Sequence, residues 1–293
     1  PDIVVCSMVG RAHIEHFGTI QAIAAAKEEI YQFAKADAIR IYNLDNQLTH
    51  SMWERAQKQY PKAKKIITFS QNPSSGADIC LQIKKLTMSS LQLVGSIAGV
   101  SIEAMVPVFG EHNLVNLMVA ASIGYALGMS AHEIELALPR CRTNWGRNQL
   151  VHLQSGAELL FDGYNANPDS MKALIENVPL LKSKGEKIAV IGQMKELGAL
   201  AVQAHQELGQ HVAQIGFEQV YFIGENYLAF QEGLKQGGFK GEVNIQAEFS
   251  TAMGEKLGHS LKKNSIVVIK GSRGAATERF VKFCKPISWS EKK

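Results

Sequence analysis

Residues 162–170 read Asp-Gly-Tyr-Asn-Ala-Asn-Pro-Asp-Ser, between a short apolar run at 158–161 and a helix-like run at 171–178. A turn that only reverses the chain needs Gly, Pro and one Asx residue. This one carries more polar chemistry, at the carboxyl end of a strand, where open α/β sheets bind ligands. A second polar loop, His13-Ile14-Glu15-His16, follows the opening apolar run. Two imidazoles and a carboxylate can hold a metal or phosphate, or simply face solvent. Beyond it, Ile20, Ile23, Lys27, Ile30 and Ala34 share one helical face. A lysine in such a stripe either snorkels to water or points at the preceding loop. Gly146-Arg147 offers a guanidinium, whose rigid fork of donors suits phosphate. Lys270-Gly271-Ser272-Arg273 offers donors for a carboxylate or phosphate, with helix capping by Ser272 as the plainer alternative.

These segments need a scaffold. The first half alternates: strands at 3–8, 38–42 and 65–69, helices at 19–35 and 51–60. Period-two stretches from 78 to 107 predict antiparallel strands. A long apolar helix is expected at 114–127, stopped by Gly128. Ser130 and Glu133 form a capping-box pattern for the next. Asn43-Leu44-Asp45-Asn46 reads as structural. The second half places strands at 158–161, 187–191, 219–223, 242–246 and 265–269, separated by helices, as in a parallel sheet with crossovers. The pattern changes near Asn148, giving expected domains of 1–148 and 149–293.

A chain of 293 residues can hold two ordinary domains. With 46% hydrophobic and 20% charged residues it is globular, and no apolar run approaches the roughly 20 residues needed to span a bilayer. No membrane role is expected. Four scattered cysteines without a C-x-x-C pair argue against a zinc site or disulfide framework and suit a reducing cytoplasm. A net charge of +4 without a basic, aromatic-interleaved stripe gives nucleic-acid binding little support. Residues 2–6 form a strand pattern directly after Pro1, which reads as the carboxyl part of a longer protein.

The 162–170 turn resembles the D-x-YNANP-x-S turn of the Mur ligases, in the branch that adds D-alanyl-D-alanine. Gly10-Arg11-Ala12-His13-Ile14-Glu15 and Ala26-Lys27-Glu28-Glu29-Ile30-Tyr31 resemble the family's G-x-AH-x-E and A-K-x-x-IY segments, with Arg11 replacing the usual Pro. Gly110-Glu111-His112-Asn113-Leu114-Val115-Asn116 resembles its G-x-HN-x-x-N motif. Gly192-Gln193-Met194-Lys195-Glu196-Leu197-Gly198, followed by His205 and Glu207, resembles GDM-x-ELG…H-x-E, with Gln193 replacing Asp. Residues 270–273 match KGSR. The resemblance implies an α/β fold: part of a central ATPase-type domain with a mixed sheet, then a Rossmann-like C-terminal domain. It implies ATP and Mg2+ as cofactors, with His13 a metal ligand and Lys27 a carbamate, whose oxygens suit a hard cation. It gives adenine contacts to His112, Asn113 and Asn116, phosphate to Arg147, ribose to Asp162, and substrate to Tyr164, Asn165, Asn167, Ser272 and Arg273. Domain closure is expected to bring Arg147 and Asp162 onto one nucleotide.

The implied reaction joins UDP-N-acetylmuramoyl-tripeptide to D-alanyl-D-alanine through an acyl phosphate. A cytoplasmic monomer is expected. No G-x-x-x-x-G-K-[ST] loop occurs in the chain, so the polypeptide is expected to be inert unless an upstream part supplies one. The alternatives are another Mur ligase or a folylpolyglutamate synthetase, a noncatalytic nucleotide-binding module, and a domain that only mediates contacts.

Overall fold

The computed structural model describes residues 1–10, 14–181 and 183–289. They form two compact units, Pro1–Arg142 and Thr143–Lys293.

The first unit has strands β1 (Ile3–Cys6), β2 (Ile39–Asn43), β3 (Ile66–Ser70), β4 (Ile79–Leu86), β5 (Leu91–Ile97) and β6 (Val100–Val106), in that spatial order. The first four are parallel; β4, β5 and β6 are antiparallel, as the period-two pattern requires. Helices α1 (Ile14–Phe17), α2 (Ile20–Gln32), α3 (Gln47–Gln59), α4 (Asn113–Ala126) and α5 (Ala131–Ala137) complete it. Alternate strand residues face opposite layers. Ile41 packs in the core with Phe69, Leu117 and Met118, while Tyr42 packs with Ile23, Tyr31 and Met52. Ser130 and Glu133 form the expected capping box at α5.

Two local expectations change. Helix α3 begins four residues before position 51, because the Asn46 side chain caps it by accepting from Thr49 N. On α2 the buried face is Ile23, Ala24 and Tyr31, leaving Ile30 44% exposed. Tyr31 can be buried because its hydroxyl accepts from Cys6 N and donates to Ile41 O.

The second unit has β7 (Gln149–His152), β8 (Glu158–Asp162), β9 (Lys187–Gly192), β10 (Gln219–Ile223), β11 (Glu242–Gln246) and β12 (Ile266–Lys270), ordered β11-β10-β9-β12-β8-β7. Five strands are parallel, with crossovers through α6 (Pro168–Asn177), α7 (Ala201–Gln214), α8 (Tyr227–Gln236) and α9 (Thr251–Ser260). The sheet is nevertheless mixed, because β7, absent from the expected strand set, runs antiparallel to β8. Tyr221 packs on one face with Phe280, and its neighbour Phe222 stacks on Phe230 on the other. The units divide between Arg142 and Thr143, six residues before Asn148. Gly146, Arg147 and Asn148 belong to the second unit, where the first two contact Tyr164 in the turn after β8 and Asn148 contacts Asp162 at the strand's end.

Candidate functional site

In the first unit, the loop after β1 is braced from the end of β2 and the start of α3. Asn43 and Asn46 pin the loop after β1: their Nδ2 groups donate to Ser7 O and Val9 O. Their segment is structural, and Asp45 extends the bracing by accepting from Ser70 Oγ and Gln71 N. His13 lies outside the described residues. Lys27 is exposed on α2, and its charge pulls down the Cys6 thiol pKa, which burial raises more strongly. Its ammonium therefore acts at the carboxyl end of β1. An ammonium cannot ligate a metal, whereas a carbamate on the same nitrogen would present hard oxygens. Among the described residues, no cluster of three His, Cys, Asp or Glu side chains could hold a metal ion.

The loop before α4 arranges the next group. Gly110 has φ +93°, and a Cβ there would sit 2.3 Å from the His112 ring. Glycine thus lets the imidazole fold back over the backbone. His112 occupies the helix N-cap but makes no side-chain cap bond. Asn113 is buried and serves no cap: its Nδ2 donates to Phe109 O at 2.6 Å, and its Oδ1 accepts from Asn116 Nδ2 at 3.1 Å. Asn116 is exposed.

The second unit builds a denser cluster. Parallel register sets Asp162 of β8 beside Lys270 of β12 at the strand ends. Lys270 Nζ donates to Asp162 Oδ2 at 2.5 Å and to Asn165 O at 3.1 Å. Asn148 N donates to Asp162 Oδ1 at 3.3 Å, so both carboxylate oxygens are engaged. Tyr164, 41% exposed, carries the Arg147 guanidinium 4.5 Å from its ring centroid. Its backbone N donates to Gly146 O. Asn165 Oδ1 accepts from Ala166 N. Asn167 caps α6 in a reciprocal arrangement with Ser170, and Pro168 occupies the first turn.

Ser272 is buried and makes no cap bond; its hydroxyl donates to Ala166 O and accepts from Lys195 N. Arg273 donates to Glu278 at 2.9 Å. His205 anchors the β9 loop: Nε2 accepts from Met194 N, and Nδ1 faces Ala201 O at 2.6 Å. That pairing requires a neutral imidazole with the proton on Nδ1, and burial lowers its pKa accordingly. Gln193 accepts from Glu225 N at 2.6 Å, joining the loops after β9 and β10.

Beside these loops lies a cavity of about 400 Å³ lined by Gln193, Lys195, Glu225, Glu248, Phe249 and Arg279, among others. Cationic and carboxylate side chains both border it. Glu225, Glu248 and Arg279 were not legible as site residues, since no local motif contains them; Lys270 was legible only as part of KGSR.

Residues 1–124 match the Mur ligase middle domain, and residues 146–273 match the Mur ligase glutamate ligase domain. The chain belongs to the Mur ligases. Among relatives, it is 27% identical over 282 residues to the UDP-N-acetylmuramoyl-tripeptide–D-alanyl-D-alanine ligase of Bacillus subtilis, covering 96% of this chain and 59% of that protein. MurF from Acinetobacter baumannii superposes with a TM-score of 0.80 at 24% identity, over 96% of this chain and 59% of that one. MurF of Thermotoga maritima, solved in complex with ADP, gives 0.74 at 24% identity, over 97% and 61%. The Mur ligase chain described here thus spans about three-fifths of the length of these relatives. Its two mixed α/β units match the Mur ligase middle and C-terminal domains in fold. No helix among the described residues is long and apolar enough to cross a membrane.

Proposed function

We propose that this chain carries nucleotide- and dipeptide-binding parts of an ATP-dependent amide ligase of peptidoglycan precursor synthesis, a cytoplasmic monomer. The reaction joins D-alanyl-D-alanine to UDP-N-acetylmuramoyl-tripeptide. ATP phosphorylates the tripeptide carboxylate, the dipeptide amine attacks the acyl phosphate, and phosphate leaves. The observation that carries this reading is the cluster at the carboxyl ends of β8 and β12. There Tyr164 carries Arg147, Lys270 holds Asp162, and Ser272 is tied to Ala166 O of the same turn.

Arg147 supplies donors to phosphate and Asp162 an acceptor to ribose. His112 gives a stacking face to adenine, and Asn116, held by Asn113, gives an amide to its edge. Asn113 acts through Asn116, since its own amide nitrogen is bonded to Phe109 O. Tyr164, Asn165, Asn167, Ser272 and Arg273 border the dipeptide, and Asn167 does so as the cap of α6. The cavity beside Gln193 suits a zwitterion: Lys195 and Arg279 complement a carboxylate, Glu225 and Glu248 an ammonium. Its volume of about 400 Å³ falls in the range of small-ligand pockets, roughly 300–1,000 Å³. Lys27 as a carbamate and His13 would hold Mg2+, which when bound neutralises charge developing on the transferred phosphoryl group.

The helix α4 entry, with His112 folded over Gly110 and Asn116 exposed, equally fits a second reading, a nucleotide-binding module without turnover. Both readings require ADP binding, and only the first requires the dipeptide. Calorimetric titration with ADP, then D-alanyl-D-alanine, is expected to show one site for each. Binding of ADP without the dipeptide leaves the module reading, and binding of neither contradicts both.

A further inference from the structure

We propose that Trp145 is a positioning residue, whose indole holds the Arg273 guanidinium ready for the carboxylate of the dipeptide. The proposal rests on reading Arg273 as substrate-binding, and it adds a residue outside every motif quoted above.

Arg273 follows β12 in a short turn and is half exposed, so its long side chain needs restraint. Two contacts supply it. Nη1 donates to Glu278 at 2.9 Å, and the guanidinium carbon lies 4.8 Å from the Trp145 ring centroid. A cation is drawn to the face of an indole more strongly than to any other side-chain ring. The ring is itself immobilised: it meets the edge of Phe161 at 5.2 Å and Trp289 at 6.2 Å, and those two rings meet at 5.0 Å. Glu278 takes one of the five N–H donors, leaving the fork able to grip a carboxylate. An arginine already restrained loses less freedom when the anion arrives.

Position on the chain adds a second consequence. Trp145, Gly146 and Arg147 are consecutive, and Gly146 has φ +68° with a virtual Cβ 3.2 Å from Tyr164 N. The Gly146 backbone therefore packs closely against the Tyr164 turn. Arg147 rests on Tyr164 on one side of Gly146, and Trp145 carries Arg273 on the other. One short segment holds two guanidinium groups on aromatic faces, one for each of two anionic ligands.

The test uses the whole chain, with W145F retaining an aromatic face, W145L retaining bulk alone, and R273Q. In wild-type protein, the Nε–Hε cross-peak of Arg273, assigned by its loss in R273Q, is expected to carry an upfield ring-current shift. W145F keeps that shift and W145L abolishes it. Titrated with D-alanyl-D-alanine, W145L is expected to bind about two- to fivefold more weakly than wild type, the size of a partly exposed cation–π contact. W145F restores binding, and W145L adds no further loss in the R273Q background. An Arg273 cross-peak at its unshifted position in wild type overturns the inference whatever the ligand, as does undiminished dipeptide binding by W145L. A shifted cross-peak in a chain that binds no dipeptide overturns the ligand reading and the role assigned to Trp145, though the contact exists.

Discussion

Lys270 Nζ stands 2.5 Å from Asp162 Oδ2, with the two side chains only 2% and 7% exposed. The pair joins the ends of two adjacent strands 108 residues apart in sequence. Lys270 also reaches Asn165 O, so one ammonium fixes both the carboxylate and the turn beyond it.

Removing one member of a buried ion pair strands the other. K270M is expected to destabilise the second unit by about 3–5 kcal/mol, whereas the paired replacement D162N/K270M recovers part of that loss. Urea denaturation followed by tryptophan fluorescence measures both. A K270M protein within about 1 kcal/mol of wild type would show that the pair is not buried as described.

His205 makes stability depend on pH. Its folded pKa lies below the ordinary value of 6.5 because burial disfavours the charged ring. Above 6.5 both states are neutral and the contribution is complete. As pH falls from there towards the depressed folded value, only the unfolded chain takes up the proton, so stability declines. Wild-type protein should lose more urea resistance between pH 7.5 and 5.5 than H205N. Parallel losses in the two proteins would assign the pH dependence elsewhere.

G110A places a methyl group 2.3 Å from the His112 ring, at a φ of +93° that alanine adopts poorly. The imidazole must move. ADP affinity is expected to fall about tenfold, within the roughly 1–3 kcal/mol of a base–aromatic stack. Calorimetry gives the comparison; ADP affinity equal to wild type would remove His112 from the nucleotide site.

Lys27 is exposed, so dissolved carbon dioxide can reach its amine. Protein equilibrated with ¹³C-bicarbonate is expected to give a carbamate carbon signal that K27R lacks. A signal that survives in K27R belongs to another amine, and no signal at all leaves Lys27 a simple cation.

Local chemistry was the legible part of this chain. The Asx- and Pro-rich turn before α6 and the Ser130–Glu133 capping box announce themselves in a few residues, because both are satisfied within one helical turn. Helix α3 was read four residues short because Gln47, Thr49 and His50 break any apolar period, while the cap that starts the helix is a single Asn46 side chain. The face of α2 was misread because Tyr31 looks half polar until Cys6 N and Ile41 O are seen to satisfy its hydroxyl. The sequence also identifies Lys270 without its partner. Asp162 becomes its neighbour only through the strand order β9-β12-β8, which no spacing along the chain encodes. The cavity beside Gln193 is hidden for the same reason, since its walls come from four separate loops.

Phosphate release tests the central proposal most directly. The protein expressed from its full reading frame would be given ATP, Mg2+ and UDP-N-acetylmuramoyl-tripeptide, with and without D-alanyl-D-alanine. Release that depends on the dipeptide, with the amide product detected by mass, is the expected result. Release driven by a single amino acid, or ATP binding with no release under any combination, would contradict it.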